Sequence, residues 1–342
     1  DTIDADALYS YFRYLCVPAP ASILRGAKKL PSGTLLRWDG HSVELRRFWE
    51  LTTKVGTLCS PSSVISFEEA TDELERRLRR SVRLHMQADV PYGAFLSGGV
   101  DSSVVAALMQ AESSRPVKTF TVGFAERAHD ESRYARAVSK HLGTEHHELI
   151  MNADDVPALV SEVAAQYDEP FADGSSIPTF LVSRFARQHV TVCLSGDGGD
   201  ELFAGYPRYF WADRVERWRK RLTPPGAYMA SRFLQELPDG FWNRVVNPLT
   251  GKRYAGAEGL SPRIKRFAAY LGCPRVHAYS RTMSAWQHPE TLLGAGDFKK
   301  LGADTVRYPH LTWAEEMMLI DQENYLQDDI LAKVDRASMA VS

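Results

Sequence analysis

The chain is poor in cysteine. Its four, at positions 16, 59, 193 and 273 of 342 residues, are too few and too scattered for a disulfide framework or a Cys-x-x-Cys metal site. A reducing, cytoplasmic setting is therefore expected. No apolar run approaches the ~18 residues of a membrane span, and no signal peptide opens the chain, so no membrane partner is expected. Charge of one sign is missing too: 41 basic and 43 acidic side chains give a net charge of −2. That balance lacks the basic face of a nucleic-acid binder. The one local cluster, "RVERWRKR" at 214–221, reads as a solvated helix face. Neither a Walker loop nor a G-x-G-x-x-G fingerprint occurs. The start, "DTIDADALYSYF", has no initiator Met, and both ends are expected to be cut.

What remains is long enough for one large domain or two ordinary ones with a sizeable core. Residues 1–56 form a small separate stretch. It holds a helical pattern, "DADALYSYFRYL", then two alternating runs around Asp39-Gly40 that predict a hairpin. A Ser/Pro-rich stretch at 57–66 reads as a linker. Ser66 with Glu69 is a capping-box pattern opening a helix whose apolar stripe is Leu74, Leu78 and Val82.

After that helix the pattern alternates. "YGAFLSG", "VKTFTVGF", "TEHHELIM" and "HVTVCLSG" read as strands, separated by helical segments, one of them ending on the glycine of "KHLG". This predicts a doubly wound parallel sheet covered on both faces. From about Asp200 onward strand signals vanish. A helical C-terminal part packed over the carboxyl edge of the sheet is expected. Trp211, Trp218, Trp242 and Trp286 read as core, and the four cysteines as inert. Adjacent residues on a strand face opposite ways, so His146 and His147 are not expected to share a metal.

The chemistry sits in two glycine-rich turns. "FLSGGVDSS" (95–103) follows an apolar run and contains a helix start. Glycines let backbone approach a ligand closely, and unpartnered N–H groups at a helix start suit phosphate. Asp101 beside a phosphate is tolerable only with a cation between them, which points to Mg²⁺. "LSGDGGDELFAGYPRY" (194–209) repeats the logic after another apolar strand. If the two turns converge, Asp101 and Asp200 can share the metal, with Asp197 nearer the reacting group.

"FLSGGVDSS" resembles the pyrophosphate loop of N-type ATP pyrophosphatases. Together with "FTVGF", "LGTEHHEL", "YDEPFADGSSIPTF", "LSGDGGDELFAGYPRY" and "ILAKVDRASMA" it resembles the synthetase domain of glutamine-hydrolysing asparagine synthetases over about residues 57–342. The resemblance implies a PP-loop fold of the adenine nucleotide alpha hydrolase type. Residues 1–56 resemble the tail of that family's glutaminase domain. The family adenylates the aspartate side chain with ATP, releases pyrophosphate and admits ammonia from glutamine.

Carried over by position, Ser97, Gly98, Gly99, Asp101, Ser102 and Ser103 would cradle pyrophosphate. Leu96, Val122 and Gly123 would touch adenine or ribose, and Ser195 and Gly196 would lie near the α-phosphate. Asp101 and Asp200 would bind Mg²⁺. Asp197, Lys333 and Arg336 would be catalytic, the last two lying three apart on one helix face. Asp168, Glu169, Ser175 and Ser176 would hold the acid.

The chain departs from the family in having Asp at 197 where Glu is frequent, in lacking an N-terminal nucleophilic cysteine, and in lacking the acidic segment expected after Ser342. Expected partners are ATP, an acid, ammonia and a glutaminase domain of the same parent; a homodimer stays open. Two other readings stand beside this one within the superfamily: a β-lactam synthetase or peptide cyclase using an internal amine, and a tRNA-modifying pyrophosphatase. A non-catalytic binding protein on the same scaffold is the third.

Overall fold

The computed structural model describes residues 2–342 except 52, 54–64, 126–129, 153, 155, 242–259, 274, 295, 297 and 299–310. The greater part of the expected linker, with Cys59, and also Trp242 lie outside the described residues. Helix α1 (Ala5–Tyr14) starts where the Asp4 carboxylate accepts from the amides of Asp6 and Ala7, at 2.9 and 3.0 Å. The hairpin forms as expected. Strand β1 (Thr34–Trp38) pairs antiparallel with β2 (Val43–Arg47) across a turn in which Asp39 accepts from two amides and Gly40 takes φ 93°.

Helix α2 (Phe67–His85) carries the expected capping box between Ser66 and Glu69. Of its apolar stripe, Val82 is buried and Leu78 packs against the core, but Leu74 stays on the surface. The alternation then follows: β3 (Tyr92–Phe95), α3 (Val100–Glu112), β4 (Lys118–Phe124), α4 (Ser132–Leu142), β5 (Glu145–Met151), α5 (Val156–Ala164), α6 (Ser176–Arg187) and β6 (Val192–Leu194). Gly143 ends α4 in the left-handed conformation, as the "KHLG" signal predicts.

The four strands are parallel, in the order β5-β4-β3-β6. The chain therefore winds outward from β3 through β4 to β5, then crosses back to lay β6 on the other side. The reversal falls between β3 and β6. Successive residues of one strand serve different layers: Ala94 packs with Val82, Leu108 and Met109 of α2 and α3, whereas Phe95 packs with Phe120 and Ala186 near α6. Both faces of the sheet are thus covered. His146 and His147 face opposite ways: one lies 2.9 Å from the Thr119 hydroxyl, the other stacks on Phe120 and His189.

Beyond β6 the described residues form helices: α7 (Gly199–Phe203), α8 (Pro207–Arg221), α9 (Pro224–Glu236), α10 (Leu260–Gly272), α11 (Arg275–Met283) and α12 (Trp313–Glu323). A π-helical turn (Leu326–Leu331) follows and leads into α13 (Ala332–Met339). This part has its own core of Tyr209, Val215, Tyr279, Trp313, Met317 and Ile320. At its centre the Asp321 carboxylate accepts from the hydroxyls of Tyr209 and Tyr279 and from Arg208 Nε. Helix α13 packs on α6, which ties the helical part to the sheet.

The tryptophan expectation needs correction. Trp313 is core, but Trp218 and Trp286 are 50% and 44% exposed, and Trp211 is only partly buried. Helix α8 is so rich in arginine that its buried stripe is narrow, and Trp218 falls outside it. Among the described residues no helix is long and apolar enough to cross a membrane.

Candidate active site

The two glycine-rich turns follow β3 and β6, the neighbouring strands at which the winding reverses. Such a switch point leaves a crevice beyond the carboxyl ends of the strands. In the first turn Leu96 continues the sheet, its amide 2.9 Å from Phe120 O, and Thr121 Oγ1 donates to Leu96 O. Gly98 has φ 82°, and a Cβ there would lie 2.5 Å from the Ala135 amide nitrogen. The turn is thus pressed against the start of α4, and only glycine fits.

Gly99 is the N-cap of α3 and offers no side-chain cap, so the first amides of that helix face the crevice without one. The Ser97 hydroxyl accepts from Gly99 N at 3.2 Å and lies 2.9 Å from Ser102 Oγ.

The second turn lies directly against the first. A Cβ on Gly196 would sit 2.7 Å from Ser102 N, and one on Gly199 would sit 2.5 Å from Asp101 Cγ. The glycines here are contact points between loops. Asp101 responds to this packing: burial first, and then the neighbouring charge of Asp200, raise its carboxyl above the usual range. Two carboxylates close enough to repel suit a cation between them. Mg²⁺ takes one or two carboxylates plus phosphate oxygens and water, so Asp101 and Asp200 fit it. No cluster of three or more His, Cys, Asp or Glu ligands is found among the described residues.

Leu96, Ser97, Gly99, Asp101, Ser102, Val122, Ser175, Ser195, Gly196, Asp197, Asp200 and Lys333 all line one cleft, of about 470 Å³ and open to solvent. The wall opposite the loops comes from the π-helical turn and α13, through Ile330, Lys333 and Val334. Lys333 is 5% exposed, and its ammonium donates to Asp173 Oδ2 and to Ser175 Oγ, each at 2.6 Å. Asp173 also accepts from the Ser175 amide at 2.8 Å. Burial pushes the Asp173 carboxyl up, but the Lys333 and Ser175 hydrogen bonds outweigh it and hold it below the usual range. Asp329 behaves oppositely: burial, and then the charge of Asp173, raise it to about 7.

Other expected site residues lie elsewhere. Gly98 and Ser103 support the first turn from behind; Ser103 Oγ donates to Gly99 O at 2.6 Å. Gly123 does not line the cleft, because a Cβ there would meet Ile150 and Ser132 at 2.8 and 2.9 Å. Its lack of a side chain serves packing between β4, β5 and α4. Ser176 is buried and donates to Asp173 O. Glu169 is engaged by Lys29 and by the Ile23 amide, which ties the N-terminal stretch to the sheet domain.

Asp168 pairs with Arg336 at 2.9 Å, and both are well exposed. Lys333 and Arg336 share a helix face, as their spacing predicts, but their charged heads end in different surroundings. Three residues of helix leave them about 60° apart, and docking of α13 on α6 turns Lys333 inward and leaves Arg336 at the rim. The residues that motif reading passed over are Asp173, Glu131, Thr179, Glu201 and Tyr206. All but Asp173 line the cleft, and Asp173 anchors Lys333. Asp173 sits inside "FADGSSIP", where an Asp-Gly-Ser turn ahead of a helix was the available signal.

Residues 73–342 match the family model described as asparagine synthase. The chain belongs to the asparagine synthase family. A Methanocaldococcus jannaschii protein named a putative glutamine-hydrolyzing asparagine synthetase is 36% identical over 223 residues, 64% of this chain and 42% of that protein. One of the same name from Mycobacterium tuberculosis is 33% identical over 347 residues, 99% of this chain and 49% of its own length. Glutamine-hydrolyzing asparagine synthetase 1 of Bacillus subtilis is 28% identical over 348 residues, 99% of this chain and 50% of its own. The chain spans about half the length of the curated relatives it matches. The asparagine synthase match begins within α2 and covers both glycine-rich turns, the sheet and α13.

Proposed function

We propose that this chain carries out the ATP-consuming half of an amide-forming ligase. The acid, most simply the aspartate side chain, attacks the α-phosphate of ATP, pyrophosphate leaves, and ammonia displaces AMP from the acyl-adenylate. The observation that carries the reading is the meeting of two glycine-acid turns at the switch point of a parallel sheet, with a buried lysine facing them.

Each residue has a task in this reading. The free amides of α3 and the hydroxyls of Ser97 and Ser102 bind pyrophosphate, while Ser103 holds the turn from behind. Leu96 and Val122 lie along the nucleoside, and Ser195 and Gly196 flank the α-phosphate. Asp101 and Asp200 hold Mg²⁺, which when bound neutralises charge on the phosphates. Lys333 stabilises the charge that grows on the α-phosphate as the leaving bond breaks. Asp197 lies at the reacting group, and Ser175 and the rim residues Asp168 and Arg336 face the acid. Residues 1–56 are the end of a glutaminase domain that supplies the ammonia, and 57–342 the synthetase domain.

The test is ATP–pyrophosphate exchange with a panel of carboxylic acids. Exchange dependent on aspartate supports asparagine formation. Exchange with a β-amino acid that then cyclises favours the internal-amine reading. No exchange with any acid overturns the proposal.

A further inference from the structure

Tyr206 lines the cleft, and its hydroxyl donates to Glu201 Oε1 at 2.7 Å. Glu201 is 1% exposed, so this carboxylate has no solvent to compete for the bond. The ring is clamped as well. The Arg208 guanidinium sits 3.8 Å above its centroid, and Tyr209 and Tyr325 flank it with centroids 5.8 and 6.1 Å away. A phenol held this way has one proton, already committed, and lone pairs that remain. Toward the cleft it is a neutral group that only accepts.

Its position is equally specific. Its ring meets that of Tyr325, just ahead of the π-helical turn that with α13 forms the Ile330–Lys333 wall of the cleft. That is the end of the cleft where an acid, and then a nucleophile, would meet the α-phosphate.

We propose that Tyr206 binds and orients the ammonia that attacks the acyl-adenylate. The inference rests on the ligase reading above and deepens it. Ammonia has three N–H donors and one lone pair, and only the lone pair reacts. Accepting one N–H fixes the rotation of the molecule and aims that pair at the carbonyl carbon. A carboxylate would do this poorly, because its charge favours ammonium, which has no lone pair. A hydroxyl oxygen whose proton points away favours the neutral form. In the step itself the nitrogen pair makes the C–N bond. The C–O bond to phosphate breaks with its electrons going to AMP, and one nitrogen proton leaves for solvent water.

The experiment uses Tyr206→Phe, which keeps the ring and its stacking and removes one oxygen. ATP–pyrophosphate exchange with L-aspartate reports the first half-reaction; amide formation with ammonium chloride reports both. The expected result is exchange within about twofold of the unmodified protein, amide formation lower by about 10–10²-fold, a raised KM for ammonia, and AMP released without amide. Equal loss of exchange and synthesis makes Tyr206 a structural residue and overturns the role; so does unchanged synthesis. If the unmodified protein exchanges with no acid, the ligase reading itself falls and takes this role with it.

Discussion

Lys333 Nζ lies 2.6 Å from Asp173 Oδ2, joining residues 160 apart in sequence. Two of the three ammonium donors are taken, by Asp173 and Ser175, so the third has its direction set for it. A lysine stem is flexible, and an aimed cation stabilises developing charge better than a mobile one. Lys333→Met is expected to lower kcat by about 10²–10³-fold with a small change in KM for ATP. Asp173→Asn should lower kcat by a smaller factor, because the charge survives but loses its anchor. Arg336→Met should change either constant by only a few fold, since its pair with Asp168 is exposed. Steady-state kinetics on the three variants decide it. Proportional loss of rate and ATP affinity in Lys333→Met would mean that the ground state is bound equally well.

Burial first, and then the neighbouring negative charge of Asp200, raise the Asp101 carboxyl above its usual range. Asp101→Asn and Asp200→Asn should each abolish adenylation. They should leave thermal stability unchanged or slightly higher, since a like-charge contact is relieved. Calorimetry and exchange measured side by side check both halves. Near-normal exchange in either variant at ordinary Mg²⁺ would refute a shared metal.

Asp328 and Asp329 are raised to about 6 and about 7, in both cases by burial first, and then for Asp329 by Asp173. The folded protein therefore holds protons there that the unfolded chain has released, between the ordinary carboxylate pKa of about 3.9 and the raised values. That contribution to stability is complete below about pH 4 and is lost as pH rises toward 7. Asp329→Asn should flatten this slope and stabilise the protein at pH 8 by on the order of 1–2 kcal/mol, because an amide can still donate to Asp173. Denaturant unfolding at pH 5 and pH 8 measures it; an equal effect at both would exclude the titration.

The strands and both turns were legible because each is local: an apolar run, then glycines and a carboxylate within nine residues. The convergence of the turns was legible as a possibility, and strand order made it geometry. What stayed hidden depends on docking. Nothing near Lys333 in sequence announces Asp173, and nothing near Arg336 says that it would turn outward to Asp168. Gly123 is glycine for Ile150 and Ser132 behind the strand, a reason that sequence cannot separate from close approach of a ligand. Trp218 misled because an indole weighs as apolar even on a helix face crowded with arginines.

Cysteine chemistry supplies the last expectation. Cys16 and Cys273 are buried, and burial raises both thiols; the same cause pushes Cys193 up to about 12. At neutral pH these three are thiols, and the thiolate is the nucleophile. None can attack the amide of glutamine. Ammonia should therefore support the reaction of this chain and glutamine should not. Brief iodoacetamide treatment should leave ammonia-dependent synthesis intact, since none of the three thiols is ionised at neutral pH and Cys16 and Cys273 are also buried. The assay measures glutamate released from glutamine, and amide formed from ammonia before and after alkylation. Glutamate production abolished by alkylation would place an active thiol in this chain, with Cys59 the one candidate outside the described residues.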